Sequence, residues 1–152
     1  HKNQLILAKQ LLEHGANVNA VSFPQGQTPL HSVCSSFNVT NLDFVELLLE
    51  AGARPNAQDH QGMTPVMITV MHALGAAKFL LNWPTTDVTI TARSGESFLV
   101  KVRRTVAFIL NKVGHTDNPE MVQHQLLLQQ WREIEDMVVE MGATDTGITH
   151  SD

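Results

Sequence analysis

Cysteine is all but missing from this 152-residue chain: Cys34 stands alone. One thiol cannot build an internal disulfide framework, and its scarcity fits a reducing compartment. Charge is sparse as well. Charged residues make up 16% against 43% hydrophobic, with a formal balance of −5. That composition suits an ordinary folded, soluble chain, and the lack of a basic excess disfavours nucleic acid as the main partner. No apolar run approaches the roughly 18 residues of a membrane span, and the first residues show no signal-peptide pattern. The expected setting is intracellular, cytoplasmic or nuclear.

Signatures of catalysis and metal binding are missing too. The eight histidines include no i,i+4 pair on one helix face with a carboxylate, and Cys-x-x-Cys does not occur. There is no Gly-rich phosphate loop and no Gly-x-Ser-x-Gly. Glu133, Glu135, Asp136 and Glu140 read as a helix surface, not a matched acid–base pair. Nothing near Cys34 suggests a base or an orienting acid, so it reads as a small buried residue and not a nucleophile. The expectation is a non-enzyme with no cofactor and no metal. Asn38-Val39-Thr40 matches the glycosylation sequon, but nothing else speaks for secretion and the match reads as accidental. The chain opens without Met in "HKNQLILAKQLL", which has the look of a mid-helix and predicts a piece of a longer protein.

What the sequence does have is repetition. "LLEHGANVNA" at 11–20 returns as "LLEAGARPNA" at 48–57, a shift of 37. "QGQTPLHSV" at 25–33 returns as "QGMTPVMIT" at 61–69, a shift of 36, with a fainter "SGESFLVKV" at 94–102. The closing half echoes again in "FLLNWPTTDVTI" at 79–90 and "VVEMGATD" at 138–145. A glycine-led turn, a short helix, a second helix, a Gly-Ala stop and an extended segment recur about four times. A catalytic motif has no use for a second copy, whereas a stacked unit does.

The local physics of the unit is legible. Thr28 and Thr64 stand where a helix N-cap is wanted, each followed by proline in the first turn. The hydroxyls are expected to accept from free backbone N–H groups. Leu47, Leu48 and Leu49 close the second helix, and Gly52 can adopt the left-handed C-cap. Each helix pair is too short to be stable alone and must bury its apolar face against its neighbours.

In "GQTPLHSV…VELLLEAGARPNA" the chain resembles the ankyrin repeat, whose unit of about 33 residues opens on T-P-L-H and closes on L-L-x-x-G-A. The resemblance covers 11–66 best and fades after 96. It implies an all-α solenoid of about four helix-turn-helix units with short hairpin loops, ending in an elongated two-helix cap. The expected layout is one domain over 1–152 with units near 1–22, 23–58, 59–92 and 93–145. His31 occupies the position where the family's side chain ties adjacent repeats together.

Departures from the pattern are local. The Gly26-to-Gly62 spacing exceeds the family norm by three, which points to an insertion near Asn38-Val39-Thr40. The third unit has Met67 where the second has His31, and ends without Gly-Ala. In the fourth, Phe98, Val102, Val106, Ile109 and Val113 predict one helix longer than 15 residues. Gly114 to Pro119 should break it, with Asp117 or Asn118 capping a last helix near 120–141. That helix is expected to gather Val122, Leu126, Leu127, Trp131, Ile134, Val138 and Met141 on one face.

The resemblance also implies where binding would occur: the concave side, on hairpin tips and the exposed faces of inner helices. The matching tip residues are Pro24, Gln25 and Gln27, then Asp59, His60, Gln61 and Met63, then Arg93, Ser94 and Glu96. The matching helix positions are Ser35 and Ser36, Met71 and His72, and Arg103 and Arg104. Phe23 adds an aromatic at a tip, where Met63 and Met71 could extend an apolar strip. The competing reading has Phe23 folded back on its hairpin and the methionines packed between helices. Arg93, Lys101, Arg103, Arg104 and Lys112 cluster in sequence, while acids gather at 133–140. Facing helices with complementary rims, an acidic partner peptide, or an anionic ligand or nucleic acid would each account for this. The resemblance further implies asparaginyl hydroxylation as a possible fate of Asn19 and Asn56, against a plain hydrogen-bonding role in the turn.

The expected function is a non-catalytic module, monomeric, that binds a protein or peptide segment, an acidic one being a candidate. The alternative is a structural or assembly domain working through the long C-terminal helices. Anion or nucleic-acid binding around Arg103 and Arg104 is the weaker third.

Overall fold

A computed structural model describes residues 2–36, 42–113 and 121–143; for Met71, His72, Lys112, Val113 and Met121 it describes the backbone alone. The expected insertion at Asn38–Thr40 and the break and cap within Gly114–Pro119 lie outside the described residues. The described elements are all helical: α1 (Lys2–Glu13), α2 (Pro29–Cys34), α3 (Leu42–Glu50), α4 (Pro65–His72), α5 (Leu74–Leu81), α6 (Phe98–Val113) and α7 (Met121–Glu140). Among them there is no strand, only an isolated bridge between Thr91 and Ser97. No described helix is long and apolar enough to cross a membrane. Chain contacts group into two units, 1–87 and 88–152.

In the first unit the helices form two layers. Inner α2 packs on α4, outer α1 packs on α3 and α3 on α5, while α2 pairs with α3 and α4 with α5. The leucine-rich ends predicted for these helices supply the core: Leu30, Val45, Leu48, Leu49, Val66, Met67, Ala77, Leu80 and Leu81 are buried. The Gly-Ala stop has one geometry at the ends of α1, α3 and α7. Ala53 N–H donates to Leu48 O at 2.8 Å and Gly52 N–H to Leu49 O at 3.0 Å, with Gly52 at φ +90°. Gly15 and Gly142 repeat this pair of bonds at the ends of α1 and α7. This is the Schellman closure, and its left-handed residue favours glycine.

The two threonine caps differ, which corrects the expectation that both hydroxyls accept from the backbone. At α2, Thr28 and His31 form a reciprocal capping box. Thr28 N–H donates to His31 Nδ1 at 3.1 Å, and the Thr28 hydroxyl lies 2.8 Å from the same nitrogen. At α4 the third helical position holds Met67, which offers no such partner. The Thr64 hydroxyl is buried and has no hydrogen-bond partner.

In the second unit α6 packs on α7. Phe98, Val102, Val106 and Ile109 are buried as their spacing predicts, opposite Trp131, Ile134 and Val138. The single face expected for α7 does not hold. Val122 and Trp131 are nine residues apart, about 180° around a helix at about 100° per residue. Burying Trp131 therefore turns Val122 and Leu126 outward, at 73% and 57% exposure. Leu127 and Met141 are exposed too.

Candidate interaction surface

The hairpin tips that precede α2 and α4 are rigid for reasons written in their own sequence. In the first, Ser22 N–H donates to Gln27 O at 2.9 Å and Gly26 N–H to Ser22 O at 2.8 Å. In the second, Asp59 N–H donates to Met63 O at 3.0 Å, and Asp59 Oδ1 accepts from Gln61 N–H at 2.8 Å and Met63 N–H at 2.9 Å. Asp59 is buried by this work. Its carboxylate holds the turn, which corrects its assignment as a residue offered to a partner.

His60 then ties the second tip to the first. Its backbone N–H donates to Gln25 O at 2.9 Å, and its Nδ1 donates to Pro24 O at 2.6 Å. The imidazole lies flat against Gly26: a Cβ there would sit 2.3 Å from the ring. Only glycine leaves that space open, and Gly26 also has φ +73°.

On this braced tip Phe23 stands 91% exposed. It does not fold back on its hairpin. Val21, Pro24 and Gln25 are exposed beside it, whereas Gln27, Ser35, Ser36 and Met63 are half-buried. His60 and Gln61 are exposed at the second tip. The Met71 and His72 side chains lie outside the described residues, so the strip proposed between Met63 and Met71 is known at one end only.

Two amides in the same connections clamp one repeat to the next. Asn19 Nδ2 donates to Gly52 O at 3.0 Å and its Oδ1 accepts from Arg54 N–H at 2.9 Å. Asn56 repeats this one repeat later, donating to Thr85 O at 2.7 Å and accepting from Asp87 N–H at 2.9 Å. The expected place for these bonds is within the turn. The bonds instead reach the following repeat.

In the second unit Arg93 and Ser94 are exposed at the tip. Glu96 faces inward along its own unit: it accepts from Lys101 Nζ at 3.0 Å and from Arg104. The Lys101 hydrogen bond is the main cause that holds the Glu96 carboxyl below the ordinary carboxylate range. Arg103 Nε donates to Glu135 Oε1 at 2.7 Å, joining α6 to α7. Of the segregated charges, Arg103 and Glu135 thus meet between the two long helices, while Lys101 and Arg104 pair with Glu96. Burial pushes the Cys34 thiol up to about 12, so it stays protonated at neutral pH. No cluster of three metal-ligating side chains occurs among the described residues.

Comparison with known proteins places this geometry. The family description "Ankyrin repeats (3 copies)" matches residues 1–93. An ankyrin repeat protein of Acanthamoeba polyphaga mimivirus is 30% identical over 115 residues, 74% of this chain and 71% of that one. Rabankyrin-5 of Homo sapiens is 37% identical over 78 residues, 46% of this chain. The 2-5A-dependent ribonuclease of Mus musculus is 40% identical over 67 residues, 44% of this chain. The chain spans only 7% and 9% of those two proteins. Ankyrin repeats are generally non-catalytic and serve as protein–protein interaction modules. With His31 bridging repeats, the Gly-Ala closures in register and the match over 1–93, this chain belongs to the ankyrin-repeat family.

Proposed function

We propose that the chain is a non-catalytic protein-binding module, acting in the cytoplasm or nucleus, that engages its partner on the hairpin-tip side. The observation that carries this is Phe23, an aromatic side chain 91% exposed on a tip braced by His60. An exposed Phe on a rigid backbone loses little conformational freedom on binding and offers about 2–3 kcal/mol of burial. Gln25, His60, Met63 and the helix positions Ser36, Met71 and His72 are the flanking contacts in this reading. Arg103 and Arg104 support an acidic ligand less, because Glu135 and Glu96 already occupy them.

Affinity capture from a matched lysate tests it, comparing the wild type with Phe23→Ala and with Arg103→Glu/Arg104→Glu, each checked for folding by circular dichroism. A partner lost with Phe23→Ala supports the reading. A partner lost only with the arginine pair moves the site to the second unit.

A second reading rests on a different observation. Val122 and Leu126 face outward on α7, as an assembly surface would require. A mass that rises with concentration, and falls back in Val122→Asp/Leu126→Asp, would favour it over the monomer that the first reading expects.

A further inference from the structure

The charges of the first unit are sorted by layer. No Asp, Glu, Lys or Arg occurs from His14 to Leu42 or from His60 to Ala77, the stretches that contain the inner helices α2 and α4 and most of both tips. The acids and bases of residues 1–87 lie instead on α1, α3 and α5, or in the connections that follow α3 and α5, at Arg54 and Asp87. Asp59 is the exception. It is buried, and its Oδ1 already accepts from the Gln61 and Met63 N–H groups. His60 is the exposed titratable group of the two tips, and its Nδ1 proton is held by Pro24 O. What the tip side offers is apolar surface and neutral amides. Val21 and Phe23 are 65% and 91% exposed. Gln25 and Gln61 are exposed, one on each tip, and their side-chain amides make no hydrogen bond among the described residues. The hydroxyls of Ser32, Ser35 and Ser36 donate back to Thr28 O and Ser32 O.

Resting on the tip-side reading above, we infer that the partner is a protein segment with no formal charge where it touches this chain, built around a large apolar side chain that packs on Phe23. The argument is one of desolvation. A carboxylate or ammonium group buried against this surface gives up its water and meets no counter-charge, which costs more than hydrogen bonds to neutral groups return. An apolar side chain has no such cost and gains burial against Val21 and Phe23. The backbone amides of the segment are themselves neutral, and the side-chain amides of Gln25 and Gln61 both donate and accept, as a peptide backbone requires. The charge pattern therefore selects against acidic and basic segments alike.

A random peptide library displayed on phage tests this, selected in parallel on the full 152-residue chain and on its Phe23→Ala variant. Peptides enriched by the wild type alone should carry an uncharged run with an aromatic or branched aliphatic side chain. The affinity of a synthetic peptide so selected should change less than about twofold between about 50 and about 500 mM salt. Gln25→Glu and Gln25→Lys should each weaken it at least about threefold, since a charge of either sign would be buried unpaired. Phe23-dependent peptides that are acidic or basic, tightened by one Gln25 variant and weakened by the other, would overturn the inference and leave the tip as the site. A selection without any Phe23-dependent peptide would overturn the tip-side reading and the inference with it. A dimer of the chain that Phe23→Ala dissociates would overturn the inference too, because a second copy would then occupy the tip.

Discussion

His31 Nε2 lies 3.0 Å from the backbone oxygen of Met63, so one imidazole ties α2 to the tip that opens the next repeat. Because Nδ1 accepts from Thr28 N–H, Nε2 carries the proton and donates to Met63. Neutral His31 satisfies both ends. A second proton would meet the Thr28 N–H head-on.

Acid should therefore loosen the stack through this residue. Burial is the main cause holding the His31 pKa below its ordinary 6.5. The unfolded chain then binds the proton more readily, so stability rises with pH across the window between the two values. It is fully present above about 6.5 and is lost as pH falls below that. Urea midpoints measured from pH 8 to pH 5 should fall, and His31→Gln should flatten the dependence while lowering stability at pH 8.

The two caps predict opposite responses to the same substitution. Thr28→Val removes a bonded hydroxyl and should cost about 1–2 kcal/mol. Thr64→Val removes a buried hydroxyl that bonds to nothing, and should be neutral or stabilising by up to about 1 kcal/mol. Thr86 likewise carries a buried hydroxyl without a partner among the described residues, and Thr86→Ala should behave like Thr64→Val. Chemical denaturation of the three variants checks the order.

Asn19→Ala and Asn56→Ala should each cost about 1–3 kcal/mol, since each strips two bonds from the next hairpin. Hydrogen exchange should rise at the Arg54 amide in the first variant and at the Asp87 amide in the second. For the hydroxylation proposed at these residues, a mass gain of one oxygen on either in cell-derived protein is the expected observation.

Gly26 and Gly52 share a left-handed backbone but not a neighbourhood. Nothing lies within 4 Å of a Cβ at Gly52, whereas His60 fills that space at Gly26. Gly52→Ala should cost about 1–2 kcal/mol of backbone strain. Gly26→Ala should cost more, and His60→Ala in the same chain should return part of the excess, as a double-mutant cycle would measure.

Much of this architecture was legible because it is local. Thr-Pro starts, Gly-Ala stops and leucine spacing are sequence-near features with one dominant geometry each. The α7 face was misread because seven apolar residues were grouped without tracking angle, and nine residues separate Val122 from Trp131. The reach of Asn19 and Asn56 into the next repeat was hidden because the partners are backbone atoms, which leave no trace in side-chain identity. The internal role of Asp59 was missed for the same reason. Phe23 was legible as an anomaly, and the exposure that separates a projecting ring from a folded-back one needed coordinates.

A photo-crosslinking residue placed in living cells at Gln25, and separately at Gln129 on the outward side of α7, tests the central claim most directly. The account predicts a discrete covalent adduct at Gln25, lost when Phe23→Ala is added, and none at Gln129. Adducts at Gln129 alone would contradict it and give the interaction to the C-terminal helices.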